Sequence, residues 1–438
     1  MRREILMPPL TPAMVDGKVS RWHVSEGQDV AAGDVLVEIT TASATLEIEA
    51  DAAGQVERIL VPAGTEGVKV NTPIAIVMPA PAPSATAQPL GFAALGAFAA
   101  APFEERAGPA FARESGTRTY REALRDAIGD AMRADANVFL AGVDVAQNRG
   151  ALKVAQGLAD AFGPQRVVSV AAADDAFFGF AVGAAMAGLR PIVEVASWGR
   201  ALEVMMPHLV EAAETFYLSG GRLAVPIVFR GPNGFSLGAT GQEARCVAGL
   251  LAQIPGLAIA HPATADAAYD LLAAAIRHPG PVCVLEHEQL YGSHALPSPR
   301  GRPPAALGAA RVVRAGVDVT LAASGHAVVT ALDAAERLVA DGLDAEVIDL
   351  MSVRPLDVAT VADSVRRTGH LVTVEEGWGL GAELAAAITE RCFDALKAPP
   401  QRVAGAQVPM PYAGPLQALA VPRAGDVCEA VLAAVRAG

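Results

Sequence analysis

The first 78 residues carry short alternating apolar stretches broken by turn residues. Ile5-Leu6-Met7-Pro8, Gly17-Lys18-Val19, Trp22-His23-Val24 and Leu36-Val37-Glu38-Ile39 alternate, with Glu26-Gly27 and Gly33-Asp34 as punctuation. That pattern predicts a small all-β module. From residue 118 the period changes. Tyr120–Ala134 repeats at helical spacing, and 138–142 and 167–171 are apolar runs that read as buried parallel strands. A small-residue helix is expected over 177–188 and a strand over 191–195. Another strand over 225–230 ends in the turn Gly231-Pro232-Asn233-Gly234. Beyond about 310 the alternation resumes, with strands at 319–323, 345–350 and 372–375 and helices at 327–340 and 381–397. Strands alternating with helices imply doubly wound α/β sheets.

Between these regions Pro79-Ala80-Pro81-Ala82-Pro83-Ser84 opens a semi-rigid linker. Inside it, Phe92, Leu95 and Phe98 make 90–103 either a short docking helix or an unstructured apolar patch. The expected organisation is a β module at 1–78, a linker at 79–116, and α/β domains at 117–297 and 305–438. A chain of 438 residues with 52% hydrophobic and only 18% charged content can bury large cores. A net charge of −13 and a pI near 5.1 argue against a nucleic-acid partner. Cys246, Cys283, Cys392 and Cys428 are far apart with no C-x-x-C pair, so ordinary reduced thiols are expected. Met1-Arg2-Arg3-Glu4 leads directly into a strand pattern without a signal-like apolar region, and 93–103 is too short and alanine-rich to span a bilayer. A cytoplasmic chain without a membrane partner is expected.

The β module closely resembles the lipoyl/biotinyl carrier domain, whose hairpin tip presents a lysine, usually within Asp-Lys-Ala, for acylation with lipoate. Here the tip reads Thr41-Ala42-Ser43-Ala44-Thr45. A hydroxyl at Ser43 cannot form the lipoyl amide, so no lipoate is expected. From Arg118 onward, ordered segments carry a second resemblance. They include Tyr120-Arg121-Glu122-Ala123-Leu124, Lys153-Val154-Ala155-Gln156-Gly157-Leu158, Val182-Gly183-Ala184-Ala185-Met186-Ala187-Gly188-Leu189-Arg190-Pro191, Arg354-Pro355-Leu356-Asp357 and Glu375-Glu376-Gly377-Trp378. This region looks like the β subunit of the first component of 2-oxo acid dehydrogenases, best known as pyruvate dehydrogenase. The resemblance implies a transketolase-type pyrimidine-binding domain followed by a transketolase-type C-terminal α/β domain, behind a lipoyl-like flattened barrel.

In that family the β subunit holds the aminopyrimidine end of thiamine diphosphate, and an α subunit holds the diphosphate through magnesium. No Gly-Asp-Gly loop with a downstream Asn occurs here, so any such cofactor needs a second chain. The family's carboxylate that activates the pyrimidine falls on Asp174, one methylene shorter, and a misplacement of about 1 Å can cost on the order of a hundredfold in rate. A companion glutamate falls on Val143, the stacking phenylalanine on Arg200, and a substrate-side histidine on Glu243, beside a retained Gln242. Asp175 adds a second negative charge. The resemblance also implies a potassium ion on the backbone carbonyls of Ile227, Ala275, Ile276, His278 and Gly280. An α-like chain is the implied partner, in a heterotetramer or beside a homodimer of this chain, and the dihydrolipoyl acyltransferase core is a further one.

Each changed position also has a plainer reading. Asp174-Asp175 suits the start of the next helix, Arg200 can pair with Glu203 one turn along, and Glu243 can be surface charge on a loop. His208, His261, His278 and His287 have no metal-ligand spacing and are expected as ordinary surface or loop residues. Gly377-Trp378-Gly379-Leu380-Gly381 follows a strand and is read as a structural loop. Three functional readings stay open: a catalytically degenerate subunit for assembly or regulation, an active decarboxylase or carboligase with an altered site, and an ordinary dehydrogenase subunit served by another protein's lipoyl domain.

Overall fold

The computed structural model describes residues 3–7, 16–30, 34–40, 45–50, 54–79, 118–147, 153–235, 241, 243–293 and 304–437. Ser43, Gln242 and the segment 90–103 lie outside them. The chain divides into two compact units, Met1–Ala94 and Leu95–Gly438.

The first unit is all β. Its strands are β1 (Arg3–Leu6), β2 (Asp16–Trp22), β3 (Asp29–Val30), β4 (Val35–Thr40), β5 (Thr45–Glu49), β6 (Gly54–Ile59), β7 (Val68–Lys69) and β8 (Pro73–Pro79). They form two four-stranded sheets, ordered β1-β8-β6-β3 and β5-β4-β2-β7. Met7, Val19, Leu36, Val37, Ile39, Val56 and Ile74 bury a common core, which accounts for the alternation in the sequence. β4 and β5 are antiparallel, with Thr40 opposite Thr45, so Ser43 falls between paired strands along the chain.

The second unit begins at α1 (Tyr120–Ala134), whose start is fixed by a reciprocal capping box between Thr119 and Glu122. Its first sheet contains β9 (Val138–Val143), β10 (Val167–Val170), β11 (Arg190–Glu194), β12 (Val228–Pro232), β13 (Ala258–Ala260) and β14 (Val282–Glu286). Its second sheet contains β15 (Arg311–Arg314), β16 (Val319–Ala323), β17 (Ala345–Asp349), β19 (Leu371–Glu375) and β20 (Gln401–Ala404). The short strand between β17 and β19, β18 (Ser352–Arg354), joins the first sheet instead, giving the order β10-β9-β11-β12-β14-β13-β18. It pairs antiparallel with β13, Ile259 opposite Arg354. The second α/β unit thus lends a strand to the first, which no spacing in the sequence announces.

Two further expectations need correction. The strand expected at 225–230 starts at Val228, because Pro226 has no N–H to give a sheet ladder. The helix α2 (Leu158–Phe162) is followed by α3 (Asp175–Met186) and α4 (Trp198–Leu218). In the sequence, small-residue-rich Phe177–Gly188 and Met205-Met206 look like material buried between subunits. The chain buries much of it within itself: Phe177, Phe178, Ala181, Val182, Ala184, Ala185 and Met205 all belong to its own core.

Candidate functional site

In a doubly wound sheet, ligands sit at the carboxyl ends of the strands where successive connections diverge. Here that point lies between β9 and β11, since β10 lies on one side of β9 and β11 on the other. The elements starting there place the sequence-predicted residues. Val143 is the last residue of β9, opposite Val170. Asp174 is the N-cap of α3, its Oδ1 accepting the Phe177 N–H at 2.9 Å, so the capping role holds. Its neighbour Asp175 reaches His208 Nε2 at 2.9 Å.

Arg200 lies in the first turn of α4, where Ser197 Oγ accepts its N–H at 3.4 Å. The same hydroxyl donates to the Glu243 carbonyl at 3.1 Å, and Arg200 Nη1 meets Glu243 Oε1 at 3.0 Å. Two residues 43 positions apart are thereby paired, whereas the sequence pointed to Glu203 as the partner of Arg200. The Arg200 side chain is 74% exposed and that of Glu243 45%, so the pair contributes at most about 1 kcal/mol. Its effect is positional: the guanidinium and the carboxylate occupy each other. Among the described residues, no hydrogen bond or ion pair links Asp174 or Val143 to them.

Beneath this edge is a buried ion cluster. Arg230 of β12 is fully buried, donates from Nε to Glu286 Oε1 at 2.6 Å, and pairs with Glu286 Oε2 and with Glu194 of β11. Tyr291 donates to the same Glu286. Burial alone would pull the guanidinium down, but Glu286 and then Glu194 raise it above its ordinary value, so it stays charged. Next to it, Trp198 Nε1 donates to the Gly231 carbonyl at 3.0 Å. A Cβ on Gly231 would lie 1.9 Å from the Val195 carbonyl, so only glycine allows this approach of β12 to the segment after β11.

The structure also assembles a group that sequence reading missed. His287 follows β14, Glu376 follows β19, and His326 precedes α5 (Ala327–Leu338, the first helix of the second α/β unit). His287 Nε2 lies 3.1 Å from Glu376 Oε2, and His326 Nδ1 lies 3.0 Å from Glu376 Oε1. The two imidazoles stack with centroids 4.4 Å apart and planes 14° apart. The expectation of ordinary surface or loop histidines fails here, because His287 and His261 are buried. Burial pushes His261 down to about 4, so it is neutral, and its Nδ1 faces Ser324 Oγ at 3.0 Å. Burial would raise Glu376, but His287 and His326 together hold it well below the usual carboxylate range. The Phe235 N–H also donates to Glu376, at 3.3 Å, and Gly234 has φ +81, where a Cβ would lie 2.5 Å from Glu376 Oε2. The partners are 89 and 50 residues apart along the chain, so no local motif reveals them.

Four of the five carbonyls expected to hold potassium already face a hydrogen-bond donor within the chain. Ile227 O accepts from Val282 N, Ala275 O from His278 N, and Ile276 O from Arg190 Nη1 at 2.9 Å; Gly280 O lies 3.0 Å from His278 Nδ1. A guanidinium therefore already supplies positive charge at one of the five, which weakens the case for an ion. The Gly377–Gly381 loop is structural: Glu375 accepts the N–H groups of Leu380 and Gly381 where the next helix begins.

Residues 3–77 match the family described as biotin-requiring enzyme, 117–293 the transketolase pyrimidine binding domain, and 308–427 the transketolase C-terminal domain. The chain is 44% identical over 455 residues to the pyruvate dehydrogenase E1 component subunit beta of Rhizobium meliloti (strain 1021), covering 98% of each. It is 47% identical over 322 residues to the mitochondrial subunit beta of Drosophila melanogaster, covering 72% of this chain and 88% of that one. Among solved structures it is similar to a split gene transketolase described as an inactive beta4 tetramer. The TM-score is 0.56 and the identity 24%, over 73% of this chain and 99% of that one, a likeness of fold alone.

Proposed function

The chain belongs to the pyruvate dehydrogenase E1 component β-subunit family, and from that membership we propose that it is a catalytically degenerate β-like subunit acting in assembly or regulation with an α-like chain. The Arg200–Glu243 ion pair carries this reading. The resemblance gives those two positions to pyrimidine stacking and to substrate-side proton donation, and here they engage each other. Asp174 commits one oxygen to a helix cap, and Val143 has no proton to exchange. Loss of one general acid or base costs about 10²–10⁴-fold, and several are replaced at once. Thiamine diphosphate, whose thiazolium supplies the carbanion chemistry in such subunits, would meet this chain at Val143, Asp174 and Arg200. An α-like chain would have to provide the magnesium and diphosphate site.

The test is calorimetric titration of the α/β assembly with thiamine diphosphate and magnesium, followed by a 2-oxo acid decarboxylation assay. Weak or absent binding is expected, or binding without turnover. Micromolar binding with turnover that disappears in Asp174→Ala overturns the proposal and establishes an altered-site enzyme, for which the Asp174 Oδ2 left out of the cap is the relevant atom.

Two further outcomes follow from the same reading. Incubation of the chain with lipoate ligase should add no mass, whereas Ser43→Lys, alone or with Ala42→Asp, should make it a substrate; a lipoyl mass on the unmodified sequence contradicts this. Phe180, Tyr217, Leu218, Tyr412, Leu416 and Leu419 leave large apolar side chains exposed on the second unit, which supports association with other chains. Sedimentation at micromolar concentration should show an oligomer, alone or with the α-like chain. A stable monomer in both conditions counts against the assembly role. Among the described residues no helix is long and apolar enough to cross a membrane.

A further inference from the structure

We infer that His287, Glu376 and His326 form a proton-controlled clasp between the two sheets of the second unit, closed at neutral pH and loosened in mild acid. An ionised carboxylate only accepts hydrogen bonds. Glu376 takes a different histidine on each oxygen, His287 Nε2 at 3.1 Å and His326 Nδ1 at 3.0 Å, so each ring must point an N–H at it. For His287 the other ring nitrogen is fixed as well. The Gln289 N–H donates to its Nδ1 at 3.3 Å, which requires that nitrogen to be bare. His287 therefore sits in the clasp as the neutral form with its proton on Nε2. The three residues join both sheets: His287 follows β14 of the first, while His326 lies between β16 and α5 and Glu376 follows β19 of the second. Phe235 lies just beyond β12 and donates its N–H to Glu376 Oε2 at 3.3 Å. Opening the clasp thus also releases the turn at the carboxyl edge of the first sheet.

The closed clasp has no place for a second proton on His287. On Nδ1 it would face the Gln289 N–H, donor against donor, and the side chain is only 1% exposed, so water cannot mediate. It would also set a cation beside the stacked His326 ring, 4.4 Å away. His326 differs: its side chain is 22% exposed, and it can take a second proton while keeping Nδ1–H on Glu376. The titratable groups around the clasp do not change this balance. His261, after β13, is neutral, and burial pushes the Cys246 thiol up to about 11. Glu375 is turned to the N–H groups of Leu380 and Gly381. Opened, the clasp binds at His287 a proton that it refuses when closed, so closure weakens as pH falls. Glu376 acts in the same direction. Burial would raise its carboxyl, but the two histidines hold it below the usual range, so its contribution is present above that range and is lost as pH falls through it. The pairing of β13 with β18 is independent of the clasp, so the loosening is local.

Hydrogen exchange of the full chain at pH 7.5 and pH 5.5, with rates corrected for the intrinsic pH dependence of exchange, tests this. An imidazole in water is about nine-tenths protonated one unit below its ordinary midpoint of about 6.5, so protection of the Phe235 and Gln289 amides should fall about tenfold at pH 5.5. Protection of β9 should stay the same. His287→Gln keeps a donor near the Nε2 position and takes up no proton, so the pH-dependent fall should disappear. His287→Asn, equally unable to titrate, is the second variant should His287→Gln fold poorly. His23→Gln, which removes a histidine of the first unit, should keep the fall. Equal protection of the unaltered chain at both pH values overturns the inference. So does a fall of the same size in the His287 variant, or one that extends equally to β9.

Discussion

Arg230→Met is expected to lower the unfolding free energy by about 3–5 kcal/mol, because it leaves buried carboxylates without their counter-charge. Arg230 has no exposed surface, and the side chains of Glu194 and Glu286 are 2% and 0% exposed. Methionine fills much of the same volume, so the loss is electrostatic and not a cavity effect. With these side chains out of reach of solvent, Tyr291 can satisfy only part of Glu286. Chemical unfolding of wild type and variant measures the difference. Adding Glu194→Gln and Glu286→Gln to Arg230→Met should recover part of the loss, since a buried amide costs less than a buried charge. A single variant within 1 kcal/mol of wild type would falsify the claim that this cluster is charged and dry. The cluster ties β11, β12 and β14 together beneath the ligand edge, so the variant should also loosen the position of Arg200.

Asp349→Asn should change the pH dependence of stability more than any surface substitution. Asp349 ends β17 with no exposed surface. Its Oδ1 accepts the Met351 N–H at 2.9 Å, and its Oδ2 has no hydrogen-bond partner among the described residues. Burial raises its carboxyl to about 7, against the opposing pull of the Met351 N–H and Arg311. The folded chain therefore holds a proton that the unfolded chain releases near pH 4. As pH rises from about 4 to about 7 the unfolded state binds fewer protons, so stability falls, and the fall levels off above about 7. At about 1.4 kcal/mol per pH unit the total is on the order of 4 kcal/mol. Asn keeps the acceptor for Met351 and removes the charge. Melting curves at pH 5 and pH 8 should diverge for wild type and converge for the variant, with the variant the more stable at pH 8. Parallel profiles would show that Asp349 is already solvated or paired.

The parts of this molecule legible in the sequence are those encoded locally. Tyr120–Ala134 and Val319–Ala323 are found at the positions their apolar spacing gives, since helix and strand periods are properties of neighbouring residues. Positions of the candidate crevice were legible too, because Val143, Asp174 and Arg200 each lie at or just beyond the end of a parallel strand. Their partners were not. Arg200 meets Glu243, 43 residues away along the chain, and no local spacing announces that pair. His287, His326 and Glu376 were opaque for the same reason: each belongs to a different strand–helix connection, and only the packing of two sheets puts their tips together. A histidine's isolation along the chain carries no information about its isolation in space.

β18 has a practical meaning for anyone dividing this protein into pieces. The natural cut on sequence grounds falls near 300, between the two α/β patterns, yet Ser352–Arg354 covers the edge of β13, and Arg354 Nε donates to the Ala252 carbonyl at 3.0 Å. A fragment ending near 300 would expose a row of unpaired backbone groups on β13, the kind of edge that recruits a neighbouring molecule's strand. A grafted or swapped C-terminal half would have to bring its own version of that strand in register. The two halves are therefore best expressed as one piece, and a chimera is better joined between Pro79 and Arg118 than between them.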